Sequence, residues 1–268
     1  MLPPPHRRRT DTTSPRKLRR GVYLLPSLMT LGNLFCGYAC IVYAMRGEYE
    51  TAAPFIGIAI ILDTLDGRIA RMTGTTSEFG LQFDSLADVI SFGMAPAILT
   101  FSWGLTALGR WGWAAGFVYV TAAAMRLARF NVQSSSGGDK KYFVGMPSPA
   151  AAGVPAATIY LLPAGFQHPV GAVPALALVL VPAFLMVSRI KFRAFKDFDL
   201  QARRPYTVLI AIALLFALIF AHPAFTLVAL AYTYLVSAFI EIIVTRVRHR
   251  HPQPAQLAAA PSLTPHEP

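Results

Sequence analysis

The chain has 268 residues, 54% of them hydrophobic and only 14% charged, with a mean hydropathy of +0.49. It is too apolar and too sparsely charged for an ordinary soluble domain, which points to an all-α polytopic membrane protein. The net charge of +11 does not make it a nucleic-acid binder, because the basic residues are dispersed over helix ends and tails without a folded readout module; topology and attraction to anionic lipid headgroups account for them.

Residues 1–20 are rich in Pro and Arg and lack an apolar stretch ending in a small-residue cleavage site. A disordered basic cytoplasmic arm is expected there, not a cleaved signal peptide. Apolar segments follow at 23–45, 51–73, 79–107, 111–132, 147–164, 170–188, 206–221 and 224–246, about eight transmembrane helices, several near the roughly 20 residues needed to cross. The first carries Cys36 and Cys40, one turn apart and expected as free thiols facing lipid or core. It also carries Asn33, which is either part of a site or an interhelical hydrogen bond. The run 147–188 must be two helices broken near Gly165-Phe-Gln-His-Pro169. Residues 201–248 form a further helix pair, and 249–268 a Pro- and Ala-rich disordered tail.

With the N-terminus cytoplasmic, the outward connections at 46–50, 108–111, 164–169 and 221–223 carry only Arg46 and Arg110 of the 24 Lys and Arg, as the positive-inside rule requires. Both termini then lie in the cytoplasm, and the chain is a multi-pass protein of the inner membrane. Arg71, Asp84, Asp88, Arg126, Arg129, Asn131, Lys140 and Lys141 all fall toward the cytoplasmic half, so any site they form opens to that side.

The second and third segments hold the chemistry. An Asp near the centre of a membrane helix costs roughly 2.5–3.5 kcal/mol, so Asp63, Asp66, Asp84 and Asp88 together require a polar or cationic occupant. At about 100° per residue, Asp63, Asp66, Gly67, Ala70 and Arg71 fall within a sector of roughly 140° on one helix. Gly80, Asp84 and Asp88 form a single stripe at i, i+4 and i+8 on the next. The two faces can wall one site. Carboxylate ligands without Cys or His favour Mg²⁺ or Mn²⁺, and Gly67, Ala70 and Gly80 clear side-chain bulk from the same faces.

The pattern Asp63-x2-Asp66-Gly67-x2-Ala70-Arg71-x8-Gly80-x3-Asp84-x3-Asp88 is complete at every fixed position. A chance match from a given start is on the order of 10⁻¹⁰. It resembles the signature of the CDP-alcohol phosphatidyltransferase family. That resemblance implies a six-helix core within 21–200, a metal site of Asp63, Asp66, Asp84 and Asp88 holding two ions, and a CDP-lipid-binding face of Asp63, Asp66, Gly67, Ala70, Arg71 and Gly80. It assigns Asp88 the proton of the acceptor alcohol and leaves CMP as the second product. No His is followed two residues later by Lys, so direct attack by the alcohol is expected in place of a phosphohistidine route.

Three further segments, Arg126-Leu-Ala-Arg129-Phe-Asn131, Gly145-Met-Pro-Ser-Pro-Ala150, and Leu185–Lys191 with Phe195-Lys196, resemble the membrane-integral phosphatidylserine synthases of bacteria and archaea within that family. CDP-diacylglycerol and L-serine are then the implied substrates. Arg126 and Arg129, one turn apart, either clamp the serine carboxylate or act as positive-inside anchors. Asn131 is either an acceptor contact or a helix C-terminal residue. Lys140 and Lys141 either hold lipid phosphate or set topology. The family commonly forms homodimers. The alternatives are the same chemistry with glycerol 3-phosphate, inositol phosphate or choline, or a cation transporter, which would need internal repeats that the sequence does not display.

Overall fold

The computed structural model describes residues 17–74, 77–135, 143–166, 172–188, 191–192 and 205–249. The start of the basic arm, Lys140 and Lys141, Phe195 and Lys196, and the tail beyond His249 lie outside the described residues. The described backbone is helical apart from one two-residue strand pairing. Its long helices are α1 (Lys17–Met45), α2 (Tyr49–Thr73), α3 (Glu78–Trp103), α4 (Arg110–Ser135), α5 (Ser148–Leu161), α6 (Ala172–Val187), α7 (Pro205–Ala221) and α8 (Pro223–His249). They follow the apolar segments closely. The break expected between 147 and 188 separates α5 from α6.

Local chemistry explains the ends that shape the site. α2 stops at Gly74, whose left-handed backbone (φ 61°) lets its N–H close onto the Ala70 carbonyl. α3 starts at Ser77, whose hydroxyl accepts the Gly80 N–H at 3.0 Å. Within α3, Val89–Met94 form a π-helical turn in which the Ala95 N–H reaches back to the Ile90 carbonyl. Pro96, which follows, has no N–H for the regular ladder, and a widened turn absorbs the missing bond.

The short connection after α1 sets α2 antiparallel to it, and α3 runs back alongside both. Tyr49 at the start of α2 accordingly donates to the Ser102 carbonyl at the far end of α3 (2.6 Å). Around α1, α2 and α3 pack α4, α5 and α6, with α8 against α5 through the Thr158 and Tyr232 hydroxyls (3.1 Å) and α7 against α8. Small side chains dominate the interior; Ala52, Ala59, Ala95, Ala123, Ala151 and Ala175 are fully buried, and they let helices approach closely. Cys36 and Cys40 are free and belong to this core.

The outer surface is the apolar one. Trp111, Phe117, Phe184, Phe216 and Phe220 are each more than half exposed, a distribution a water-facing surface rarely tolerates. Ser27–Met45 and Glu78–Trp103 are long and apolar enough by themselves to cross a membrane, while Ala172–Val187, Leu209–Ala221 and Pro223–Ser237 are apolar but shorter.

The strand pairing joins β1 (Phe143–Val144) to β2 (Lys191–Phe192) in antiparallel register, and the Met146 N–H continues it onto the Leu185 carbonyl at 3.0 Å. Gly145 sits between them at φ 91°, where a Cβ would press into the Met186 carbonyl. Gly145→Ala is therefore expected to destabilise the protein by roughly 2–4 kcal/mol, combining left-handed strain with overpacking. A thermal melt in detergent checks this, and an unshifted transition would contradict it.

Candidate active site

Asp63 and Asp66 stand on the last turns of α2, and Asp84 and Asp88 on the first half of α3. The antiparallel hairpin brings these stretches to the same end of the bundle. Carboxylate oxygens of Asp63, Asp66 and Asp84 all lie within 4.8 Å of one another. Asp66 and Asp88 are buried, Asp63 and Asp84 partly so. α1 supplies the supporting hydrogen bonds: Thr30 Oγ1 donates to Asp66 Oδ2 at 3.1 Å, and Asn33 Nδ2 donates to Asp88 Oδ1 at 3.0 Å. Asp88, expected among the metal ligands, thus stands one turn beyond the three gathered carboxylates with one oxygen committed to Asn33.

Carboxylates crowded into a low-dielectric interior repel one another strongly unless a cation joins them. The residues present fit a divalent metal. The donors are hard oxygens, and Asp84 Oδ1 is buried without any hydrogen-bond partner. Oxygens gathered within 4.8 Å of one another are close enough to share one divalent ion. Beside it, Gly67 opens onto free space, since a Cβ there would meet only the Arg71 guanidinium at 3.9 Å.

The remaining predicted residues behave differently from one another. Ala70 is partly buried beside Gly67, whereas Arg71 is exposed and folds back to donate to the Gly67 carbonyl at 2.7 Å. Gly80, expected on the nucleotide face, has a local reason to be small: its Cβ would come within 3.0 Å of the Ser77 hydroxyl that caps α3. Arg126 is partly buried, its charge reaches Asp63 and Asp88, and its Nη1 donates to the fully buried Ser148 hydroxyl at 2.7 Å. Arg129, one turn on, instead donates to the Val187 carbonyl at the end of α6 (3.4 Å). The two guanidinia therefore do not form one fork in this arrangement. Asn131 donates to Ser85 at 2.9 Å and so ties α4 to α3 beside Asp84.

Thr30 and Ser85 had no place in the sequence reading. Ser148 carried a signal, because it lies inside Gly145–Ala150, a segment singled out by resemblance alone. The latch at Gly145 and Met146 holds that segment against α6, and this is what sets the Ser148 hydroxyl beneath Arg126.

Known proteins are similar in sequence to this chain over most of its length. A CDP-diacylglycerol--serine O-phosphatidyltransferase of Helicobacter pylori strain J99 is 39% identical over 197 residues, covering 73% of this chain and 82% of the relative. The enzyme of the same name from Bacillus subtilis is 32% identical over 172 residues, 64% of this chain and 91% of the relative. An archaetidylserine synthase of Methanothermobacter thermautotrophicus is 37% identical over 170 residues, 63% of this chain and 69% of the relative. The family model for CDP-alcohol phosphatidyltransferase matches residues 23–190, which span α1 to α6 and every carboxylate of the site. The chain belongs to the CDP-alcohol phosphatidyltransferase family.

Proposed function

We propose that this enzyme transfers the phosphatidyl group of CDP-diacylglycerol to the hydroxyl of L-serine, releasing phosphatidylserine and CMP. The observation that carries the reading is the convergence of Asp63, Asp66 and Asp84, with Asp88 one turn away, at one end of a helical bundle. The relatives, whose names specify serine or archaetidylserine, support the acceptor.

Asp63, Asp66 and Asp84 would hold Mg²⁺ or Mn²⁺, two ions in the full complement, and Asp88 stands next to them as the base. When bound, such ions neutralise the pyrophosphate and stabilise the oxygens that enter and leave. Asp63, Asp66, Gly67, Ala70, Arg71 and Gly80 form the face that receives the CDP moiety, and the open space over Gly67 admits it. Asp88 accepts the proton of the serine hydroxyl as the new O–P bond forms and the bond from phosphorus to the CMP oxygen breaks. Arg126, with Arg129 and Asn131 behind it, faces the serine carboxylate. Lys140 and Lys141 bind lipid phosphate.

In this reading residues 21–200 are the catalytic membrane domain and 201–248 an added helix pair. All eight helices are embedded in the inner membrane, with the site and both termini cytoplasmic. The apolar faces of α7 and α8 meet lipid or a second copy of the chain.

Purified protein given CDP-diacylglycerol, a divalent ion and each acceptor in turn should release CMP with serine. Release only with glycerol 3-phosphate, inositol phosphate or choline would overturn the serine assignment. Arg126→Ala should raise the KM for serine about 10–100-fold, the worth of one charge-assisted hydrogen bond, and leave the KM for CDP-diacylglycerol within about two-fold. An unchanged serine KM would remove Arg126 from the acceptor site.

A further inference from the structure

The geometry points to Asn33 as a positioning residue of the transfer reaction, one that fixes the rotamer of Asp88 so that its second oxygen faces the acceptor hydroxyl. The inference rests on the reading of Asp88 as the proton acceptor. Asn33 is fully buried on α1, and its Nδ2 donates to Asp88 Oδ1 at 3.0 Å. The amide keeps this orientation although its own Oδ1 is buried without a partner. A side chain serving only to join two helices has no reason to leave its acceptor unmatched, since buried polar groups are otherwise paired.

The backbone around Asn33 is built to hold that position. Ser91, in the π turn directly after Asp88, donates its hydroxyl to the Asn33 main-chain carbonyl at 2.9 Å. α1 and α3 approach closely enough for this only because residue 37 is glycine: a Cβ there would come within 2.8 Å of the Ser91 Cα. The π turn, Gly37 and Ser91 thus lock the height of Asn33 relative to Asp88. A widened helical turn placed beside a reacting group is a recurrent device for aiming it. The one side-chain hydrogen bond of Asn33 among the described residues goes to Asp88, and it acts through that group.

Asn33→Ala and Asn33→Leu, which keeps similar side-chain bulk without any hydrogen-bonding group, test this together. Both should lower kcat about 10–100-fold, the usual cost of removing a group that orients a reacting side chain. The KM values for serine and CDP-diacylglycerol should stay within about two-fold, and Mn²⁺ binding followed by electron paramagnetic resonance should be unchanged. Asn33→Leu keeps similar side-chain bulk and carries the test if Asn33→Ala does not fold. Wild-type kcat in either variant, or a raised KM or weakened Mn²⁺ binding at unchanged kcat, would overturn the proposal. If the wild-type protein proves to use an acceptor other than serine, the same kcat loss is expected with that alcohol, so failure of the serine assignment and failure of the Asn33 assignment give different results.

Discussion

Asp88→Asn is expected to lower kcat for serine-dependent CMP release by about 10²–10⁴, the range that a positioned general base supplies. The substitution preserves volume in a buried site, and a carboxamide oxygen can still accept from Asn33 Nδ2, so the α1–α3 contact survives. What is lost is the capacity to take the proton of the serine hydroxyl. Because Asp88 lies outside the three gathered carboxylates, the KM for CDP-diacylglycerol should change little, and the loss should appear in kcat and kcat/KM alike, the mark of an interaction made in the transition state. Steady-state CMP release at saturating serine measures it. A kcat within about three-fold of wild type would show that the proton leaves by another route.

The sequence disclosed the carboxylates of this site more completely than it disclosed their supports. Asp63, Asp66, Asp84 and Asp88 announce themselves because helical spacing puts each pair on one face and because charge in an apolar run demands a reason. The helix boundaries were legible from the lengths of the apolar runs and the break near Gly165, while the caps at Gly74 and Ser77 came only with the structure. Thr30, Asn33 and Ser148 are different. Asn33 stood out as a polar residue in the first helix and Ser148 lay in a segment marked by resemblance, but their partners and that of Thr30 lie 55, 22 and 36 positions away, so neither periodicity nor local spacing says what they hold. Only the packing of α1 and α5 against the hairpin reveals what they hold. The π turn at Val89–Met94 was equally hidden, since Ser91-Phe-Gly-Met-Ala-Pro96 reads as ordinary apolar helix until the missing N–H of Pro96 is followed through the ladder. Gly80 shows how one position can carry two constraints. Its place in a recognised pattern suggested space for a nucleotide, while the structure gives it a second task at the cap of α3. A two-residue strand pair such as β1–β2 is too short to leave any period.

Removing the divalent ion should reduce CMP release by at least about 10³-fold, because several kcal/mol of charge stabilisation at the pyrophosphate disappear with it. Dialysis against a chelator followed by restoration with Mg²⁺ or Mn²⁺ checks this, and full activity after chelation would exclude the metal reading. The carboxylates are not expected to contribute equally. Asp66→Asn removes the buried member of the cluster, the one whose second oxygen is already oriented by Thr30, and should weaken Mn²⁺ binding most. Asp84→Asn removes the group whose Oδ1 has no other partner and should weaken binding while relieving repulsion, so its variant should melt at or above the wild-type temperature in the ion-free state. Thr30→Ala leaves every carboxylate in place and loosens one, with an expected affinity loss of about ten-fold, at the lower end for an orienting partner. Mn²⁺ titration of the three variants therefore orders them as Asp66→Asn, then Asp84→Asn, then Thr30→Ala. Wild-type Mn²⁺ affinity in all three would mean that the gathered oxygens of Asp63, Asp66 and Asp84 do not hold the ion.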